Sequence, residues 1–384
     1  MENRAVALAA VVLAALVASS AYVLFDNRGD AEDSPPETIT TSVSGVAKYG
    51  HIGLEVTRSE MADAGYAAGD FVVLSFSDRT YTSTFFDNFN GAGAMTVFTS
   101  TYGSSSEQIA IGVFNADSWS LMGCTVGESV TLSYGGVDED LVKVPNYLAG
   151  IRADDQYPDT YSYCNFRLVD SEHAAGKIYR SSSPFLGTSR SAAVCDLLEE
   201  NEVQSVLCLH LATEQLYALS LNSAYVDRLQ SGGCVSACYI NPTVAFSPDD
   251  MRCVMSTVME MFETYDNVCV NCEYGKDRTG IVVAILLAVA GDSYADIQKD
   301  FSITLSNYYG IEEGSEECLI VMNGLLDSIF YLLGNPQLLD DPMSVDYDDL
   351  DTSQFDANAM VRTYLRYLGF TDEQIDRLHD NLVS

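Results

Sequence analysis

The sequence predicts an α/β catalytic domain (a central sheet flanked by helices), preceded by a β-rich small-barrel domain and an N-terminal transmembrane helix. Three observations carry that reading. Apolar segments of strand length alternate with helical ones from Asp170 onward, the pattern of a sheet covered by helices. Between Val43 and about Asn146 the composition shifts to Gly, Ser, Thr, aromatic and β-branched residues with strand-type alternation. Ala5 to Phe25 is an uninterrupted run of apolar and small residues, long enough to cross a bilayer once.

Residues 1–25 therefore read as a membrane anchor. Arg4 and the amino terminus precede the apolar run, while Asp26 to Glu37 is acidic with a single arginine. The positive-inside rule then places the amino terminus in the cytoplasm and the catalytic domain outside the cell membrane. A cleaved signal peptide, which would give a secreted protein, is the competing reading. Ala18-Ser19-Ser20-Ala21 offers small residues for cleavage, but the apolar run continues through Tyr22-Val23-Leu24-Phe25. Residues 26–42, with Pro35-Pro36 and a Thr/Ser cluster, read as a flexible stalk.

Residues 43–146 form the β-rich domain, which contains an internal repeat. Gly65, Gly69, Leu74 and Ser75 of one copy correspond to Gly123, Gly127, Leu132 and Ser133 of the other. Each copy reads as a turn and then a strand beginning after a glycine, as expected of two related halves of a small barrel. This segment has one histidine, His51, and no cluster of titratable residues with catalytic spacing, so an interaction or spacer module with a protein partner is expected. It resembles the β-barrel domain of bacterial adenosyl-chloride or hydroxide transferases, a likeness from which no activity is carried over.

Residues 147–384 form the catalytic domain. Ser189–Asn201 reads as a helix, Val203–Leu211 and Val235–Ile240 as strands, Pro248–Tyr265 as a helix, and Val268–Asn271 as a buried strand. Ile281–Ala290 continues as a buried helix closed by Gly291. An acidic break from Asp340 to Asp356 precedes a last amphipathic helix, with Leu365, Leu368, Ile375 and Leu378 as core contacts. This order puts the site at the C-terminal ends of the strands.

Between that strand and that helix lies Cys272-Glu273-Tyr274-Gly275-Lys276-Asp277-Arg278-Thr279-Gly280. A strand, a tight loop and a helix N-terminus make an anion site, because backbone N–H groups and the positive end of the helix dipole converge on it. Glu273, Tyr274, Gly275 and Lys276 would line it. The same field favours the thiolate of Cys272, the nucleophilic form. The planar fork of Arg278 suits two phosphate oxygens, and Thr279 can donate to the thiolate when it leaves. Asp277 is the only carboxylate in the loop besides Glu273. Cys269 and Cys272 also have the spacing of a zinc pair, but no second pair shares it, so neither a metal nor another cofactor is expected.

The loop resembles that of the cysteine-dependent protein-tyrosine phosphatase superfamily. Its Gly-Lys-Asp-Arg-Thr-Gly form is similar to the bacterial and fungal tyrosine phosphatase branch that also acts on phosphoinositides. Phe166-Arg167, Lys177-Ile178-Tyr179-Arg180-Ser181-Ser182 and Thr371-Asp372-Glu373-Gln374-Ile375 agree with that branch, so the resemblance covers residues 164–384. It implies Cys272 as nucleophile, Arg278 as phosphate clamp, Asp277 as general acid and Lys276 as a further phosphate contact. Two positions depart from the pattern. The residue before the nucleophile is Asn271 where the family has a loop-bonding histidine, a bond asparagine can also make. An Asp-Leu-Arg-like motif after the second strand is replaced by Cys208-Leu209-His210.

The length of 384 residues allows two sizeable cores. A formal net charge of −36 excludes nucleic acid and anionic membrane surfaces as attractive partners. The cysteines argue against an outside location, since Cys195, Cys208, Cys253 and Cys269 sit in apolar patterns as buried small hydrophobes would. A Cys269–Cys272 disulfide is disfavoured because strand positions an odd number apart face opposite ways. The expected function is hydrolysis of phosphotyrosine and/or phosphoinositide esters through a cysteinyl-phosphate. The alternatives are a surface pseudophosphatase that binds phosphorylated ligands and an inositol-polyphosphate phosphatase.

Overall fold

The structure is a computed structural model, and it describes residues 34–86, 95–100, 107–113, 116–140, 143–219, 223–241, 246–345, 347 and 350–384. The expected membrane anchor at residues 1–25 lies outside the described residues. Among those described, one helical stretch, Glu316–Gly334, is long and apolar enough to cross a membrane. Cys318, Leu326, Phe330 and Leu333 on that stretch are fully buried in the core of the catalytic domain, which accounts for its apolar character.

Seven strands close into the N-terminal barrel: β1 (Ile39–Val46), β2 (Ile52–Thr57), β3 (Asp70–Ser75), β4 (Thr80–Phe86), β5 (Met95–Ser100), β6 (Gln108–Val113) and β7 (Ser129–Val137). Their order is β1-β2-β6-β5-β4-β3-β7, with β7 returning to β1, so no edge is left open. Val72, Leu74, Val97, Ile109, Ile111, Val130 and Leu132 alternate inward and are fully buried. The stalk ends earlier than expected. Ile39 to Ser42 pairs with β7 from Leu132 to Ser129, because β-branched residues that read as a loose Thr/Ser cluster fit a pleated strand.

The internal repeat is visible in the barrel. Each copy is a short helix (Arg58–Asp63 or Ser118–Met122), a glycine in the left-handed region (Gly65 or Gly123), a second such glycine (Gly69 or Gly127), and a strand. The two repeat strands, β3 and β7, pair antiparallel with Leu74 opposite Leu132.

The second unit carries β8 (Arg167–Leu168), β9 (Ile178–Ser181), β10 (Ser205–Cys208), β11 (Val235–Ala237) and β12 (Val268–Asn271), in the order β11-β10-β12-β9-β8. All pairings are parallel except the edge pair β8–β9. Central β12 is buried along its whole length, which is why its sequence is a short continuous apolar run. β10 and β11 are shorter than their apolar runs suggest. Leu209 and Ile240 continue past the sheet as buried core residues without belonging to a strand.

Helix Ser189–Glu200 packs on one face of the sheet with the Cys195 and Leu198 cluster. Helices Pro248–Thr264 and Asp277–Ala290 belong to the larger core on the other side. The last amphipathic segment is two helices, Ala357–Tyr367 and Asp372–Val383. Gly369 has φ +94°, and Thr371 with Gln374 forms a capping box that starts the second helix. Leu365, Leu368, Ile375 and Leu378 are all buried, as their spacing predicts.

Candidate active site

Cys272 follows the last residue of β12, and Asp277 opens the helix that leaves the loop, so the loop stands at the C-terminal end of the central strand. Cys272 is buried. Cys269, three residues earlier, faces the opposite core, where its thiol lies 3.3 Å from Ser181 Oγ; all ten cysteines are free.

The shape of the loop is set from outside it. The Glu273 carbonyl accepts from the Ser183 N–H at 3.1 Å, and the Tyr274 carbonyl accepts from the Tyr308 hydroxyl. The Gly275 carbonyl accepts from Asn165 Nδ2 at 2.9 Å and from Arg180 Nη2 at 2.8 Å. The Lys276 carbonyl accepts from the same guanidinium at 3.4 Å. Four successive carbonyls are thus drawn outward. In a trans peptide the N–H opposes the C=O, so the amide protons of residues 274–277 turn to the concave side, where an anion would sit. Gly275 is required for this. Its φ is +63°, and a Cβ there would lie 2.2 Å from the Ser181 carbonyl oxygen.

The donors that hold the loop are themselves fixed by one helix, Tyr294–Tyr309. Arg180 is fully buried and ion-paired to Asp300. Arg167 donates to Asp300 Oδ1 at 2.9 Å, to the Asp300 carbonyl at 2.8 Å, to Thr304 Oγ1 at 3.0 Å and to Asn165 Oδ1 at 2.8 Å. Asn307 donates to Asn165 Oδ1 at 2.9 Å. Burial alone would raise the Asp300 carboxyl, but the guanidiniums of Arg167 and Arg180 outweigh it and hold Asp300 below the usual carboxylate range.

Two of the expected hydrogen bonds are placed differently. Asn271 does not reach into the loop: its Nδ2 donates to the Leu207 carbonyl at 3.0 Å and ties β12 to β10. The loop-holding work expected of that position is done by Arg180, Asn165 and Tyr308. Lys276 is fixed sideways, with Nζ donating to the Tyr309 hydroxyl at 2.8 Å and lying 3.4 Å from Asp277 Oδ1. Burial would lower its pKa, but Asp277, Tyr309 and Tyr147 together raise it well above the ordinary lysine value.

The other expected residues meet at the loop. Arg278 reaches the Ile240 carbonyl at 3.4 Å, beyond the end of β11. Thr279 is fully buried, and its hydroxyl has no hydrogen-bond partner among the described residues. Asp277 is exposed, with 63% of its side chain accessible. Glu273 is exposed, and the Tyr274 ring is partly exposed beside Arg190, whose guanidinium is 5.8 Å from the ring centre. Asp249 and Asp250 sit in the first turn of helix Pro248–Thr264, as a helix start predicts, although the Ser247 side chain makes no capping bond. His210, in place of the expected arginine, is buried next to the loop with Nδ1 3.3 Å from Cys208 Sγ; burial and then Arg278 lower its pKa to about 4.

The sequence also matches the tyrosine phosphatase family over residues 175–384. The chain belongs to that family. It is accordingly a tyrosine-phosphatase-like hydrolase of the cysteine-dependent superfamily. Among solved structures it is similar to an uncharacterized conserved protein from Thermotoga maritima, with 12% identity and a TM-score of 0.23 over 27% of this chain and 40% of that one. It is also similar to the core catalytic domain of the PP-IP phosphatase SIW14 from S. cerevisiae in complex with citrate, with 17% identity and a TM-score of 0.27 over 45% of this chain and 93% of that one. No curated protein matches the sequence.

Arg180, Asp300, Asn165, Tyr308 and Tyr309 were not legible as site residues. The one available signal was a buried-strand arginine in Ile178-Tyr179-Arg180-Ser181, since an arginine inside an apolar strand needs partners.

Proposed function

We propose that this tyrosine phosphatase hydrolyses phosphotyrosine and/or phosphoinositide monoesters through a cysteinyl-phosphate on Cys272. The observation that carries the reading is the loop whose carbonyls from Glu273 to Lys276 are drawn outward by Ser183, Tyr308, Asn165 and Arg180, with Cys272 and Arg278 at its two ends. In the first step Cys272 Sγ forms a bond to phosphorus as the ester P–O bond breaks, Arg278 holds two phosphoryl oxygens, and Asp277 gives its proton to the departing oxygen. In the second, water attacks phosphorus and yields its proton to Asp277. The P–S bond breaks and Thr279 hydrogen-bonds the released thiolate. Tyr274, half-exposed on the loop, supplies an aromatic surface suited to an aryl ester, and Lys276 supplies charge suited to a second anionic group.

The chain from Thr38 assayed side by side on a phosphotyrosine peptide, a phosphoinositide and an inositol polyphosphate tests the reading. Turnover of either of the first two, abolished in Cys272→Ser with ligand affinity kept, supports it. Turnover of the third alone assigns the site to soluble inositol phosphates, and binding without turnover leaves a phospho-ligand module. We further propose that residues 5–25 anchor the chain with the phosphatase outside the cell membrane. Protease added to intact cells then degrades it, and full protection overturns that topology.

A further inference from the structure

The segment that joins the barrel to the phosphatase domain lies outside the matched family region, yet it reaches the catalytic loop. Tyr147, on the short helix Pro145–Leu148, is buried with its ring 4.9 Å from that of Tyr309. Tyr309 is buried too, and its hydroxyl accepts the 2.8 Å hydrogen bond from Lys276 Nζ. The linker helix is clamped in place by a single carboxylate. Glu317 Oε1 accepts from the Asn146 N–H at 2.8 Å and the Tyr147 N–H at 3.0 Å, and Oε2 accepts from Asn146 Nδ2 at 2.8 Å. Barrel residues Phe86, Phe98 and Ala110 belong to the same buried apolar cluster as Val144, Tyr147 and Tyr309. Barrel and linker residues thus share one buried cluster with the tyrosine that holds the ammonium group of the loop.

We propose that Tyr309, backed by Tyr147 from the interdomain linker, is a positioning residue for Lys276, so that the barrel's linker forms part of the active site. A lysine side chain has four rotatable bonds, and without a fixed acceptor its ammonium would sample many positions around the loop. The Tyr309 hydroxyl selects one of them, beside Asp277, at the edge where a substrate's second anionic group would approach. The ring of Tyr147 keeps the Tyr309 ring from rotating away, and Glu317 keeps the linker down. This deepens the phosphatase reading and rests on it.

A double-mutant cycle in the full chain tests the proposal, read both as kcat/KM on nitrophenyl phosphate and as affinity for inorganic phosphate by calorimetry. Tyr309→Phe keeps the ring and its packing and removes only the acceptor. It is expected to lower kcat/KM and phosphate affinity roughly 10-fold, the scale of a hydrogen bond to a charged group. In a Lys276→Gln background the same change is expected to cost less than about 2-fold, because the group being positioned is gone. Glu317→Ala, which releases the linker helix, is expected to lower both quantities roughly 3-fold in the parent and to leave the Lys276→Gln variant unchanged. Wild-type behaviour of Tyr309→Phe, or an equal loss in both backgrounds, overturns the positioning role. A parent enzyme that binds phosphate but turns over nothing overturns the catalytic reading alone, since the cycle is still read through affinity. A parent that does neither overturns both.

Discussion

At the scale of single residues, the division of labour between Asp277 and the helix-start pair Asp249–Asp250 is the sharpest question. Asp277 stands in the loop itself, next to Arg278, whereas Asp249 and Asp250 stand in the first turn of helix Pro248–Thr264, where Asp249 pairs with Arg252 at 3.1 Å and Asp250 lies 3.5 Å from the Asn241 N–H. Asp277→Asn is expected to slow phenyl phosphate roughly 100-fold while slowing nitrophenyl phosphate only a few-fold, because a nitrophenolate departs without a proton. The same dependence in an Asp249 or Asp250 variant, and not in Asp277→Asn, would move the acid to that helix. His210 supplies a second test. Its folded pKa of about 4 lies below the unfolded value near 6.5, so between those limits the unfolded chain takes up a proton that the folded chain refuses. Stability is lost as pH falls from about 6.5 towards 4, and is unaffected by this group above that range. Denaturant unfolding of wild type and His210→Asn at pH 7 and pH 5 should show the wild type losing about 2 kcal/mol more than the variant.

At the scale of elements, one face of helix Tyr294–Tyr309 is the scaffold of the catalytic loop. Asp300, Thr304, Asn307 and Tyr308 recur at helical spacing, and each bonds either the loop or a side chain that holds it. Asp300→Asn removes the charge shared by two buried guanidiniums, and a loss of about 3–5 kcal/mol is expected, together with activity. Thermal unfolding of that variant next to Asp300→Glu checks it; an unchanged melting temperature in Asp300→Asn would mean that the loop is held otherwise. The elements also show what a sequence reveals. Val268–Asn271 and the helix after the loop were legible because a fully buried strand and a fully buried helix are continuous apolar runs with clear ends. Leu209 and Ile240 misled, since burial continues beyond the sheet while hydrogen-bond pairing does not. The loop was legible because its residues are contiguous and stand between a buried strand and a buried helix. Its scaffold was not, because Asn165, Arg180 and Asp300 are brought together only by the fold, 15 and 120 residues apart in sequence.

At the scale of the whole molecule, a formal charge of −36 surrounds a loop in which Lys276 and Arg278 are balanced by Glu273 and Asp277, so that capture falls to the inward amide protons and the Arg278 fork. An anionic substrate is repelled at long range and captured at short range. Raising ionic strength from about 0.01 to 0.15 M shortens the screening length from about 30 to 8 Å, which weakens the first effect more than the second. The kcat/KM for an acidic phosphopeptide is therefore expected to rise several-fold with salt, and a steep fall would show that attraction to Lys276 and Arg278 dominates at every distance.

The central claim is that Cys272 carries the phosphoryl group between the two steps. Rapid mixing with nitrophenyl phosphate, quenched in acid and followed by peptide mapping, tests it most directly. A burst of nitrophenol approaching one equivalent per active site is expected, with phosphate covalently bound to the Cys272 peptide, and both are lost in Cys272→Ser. Steady turnover with no phosphate on that peptide, or turnover that survives Cys272→Ser, would contradict it.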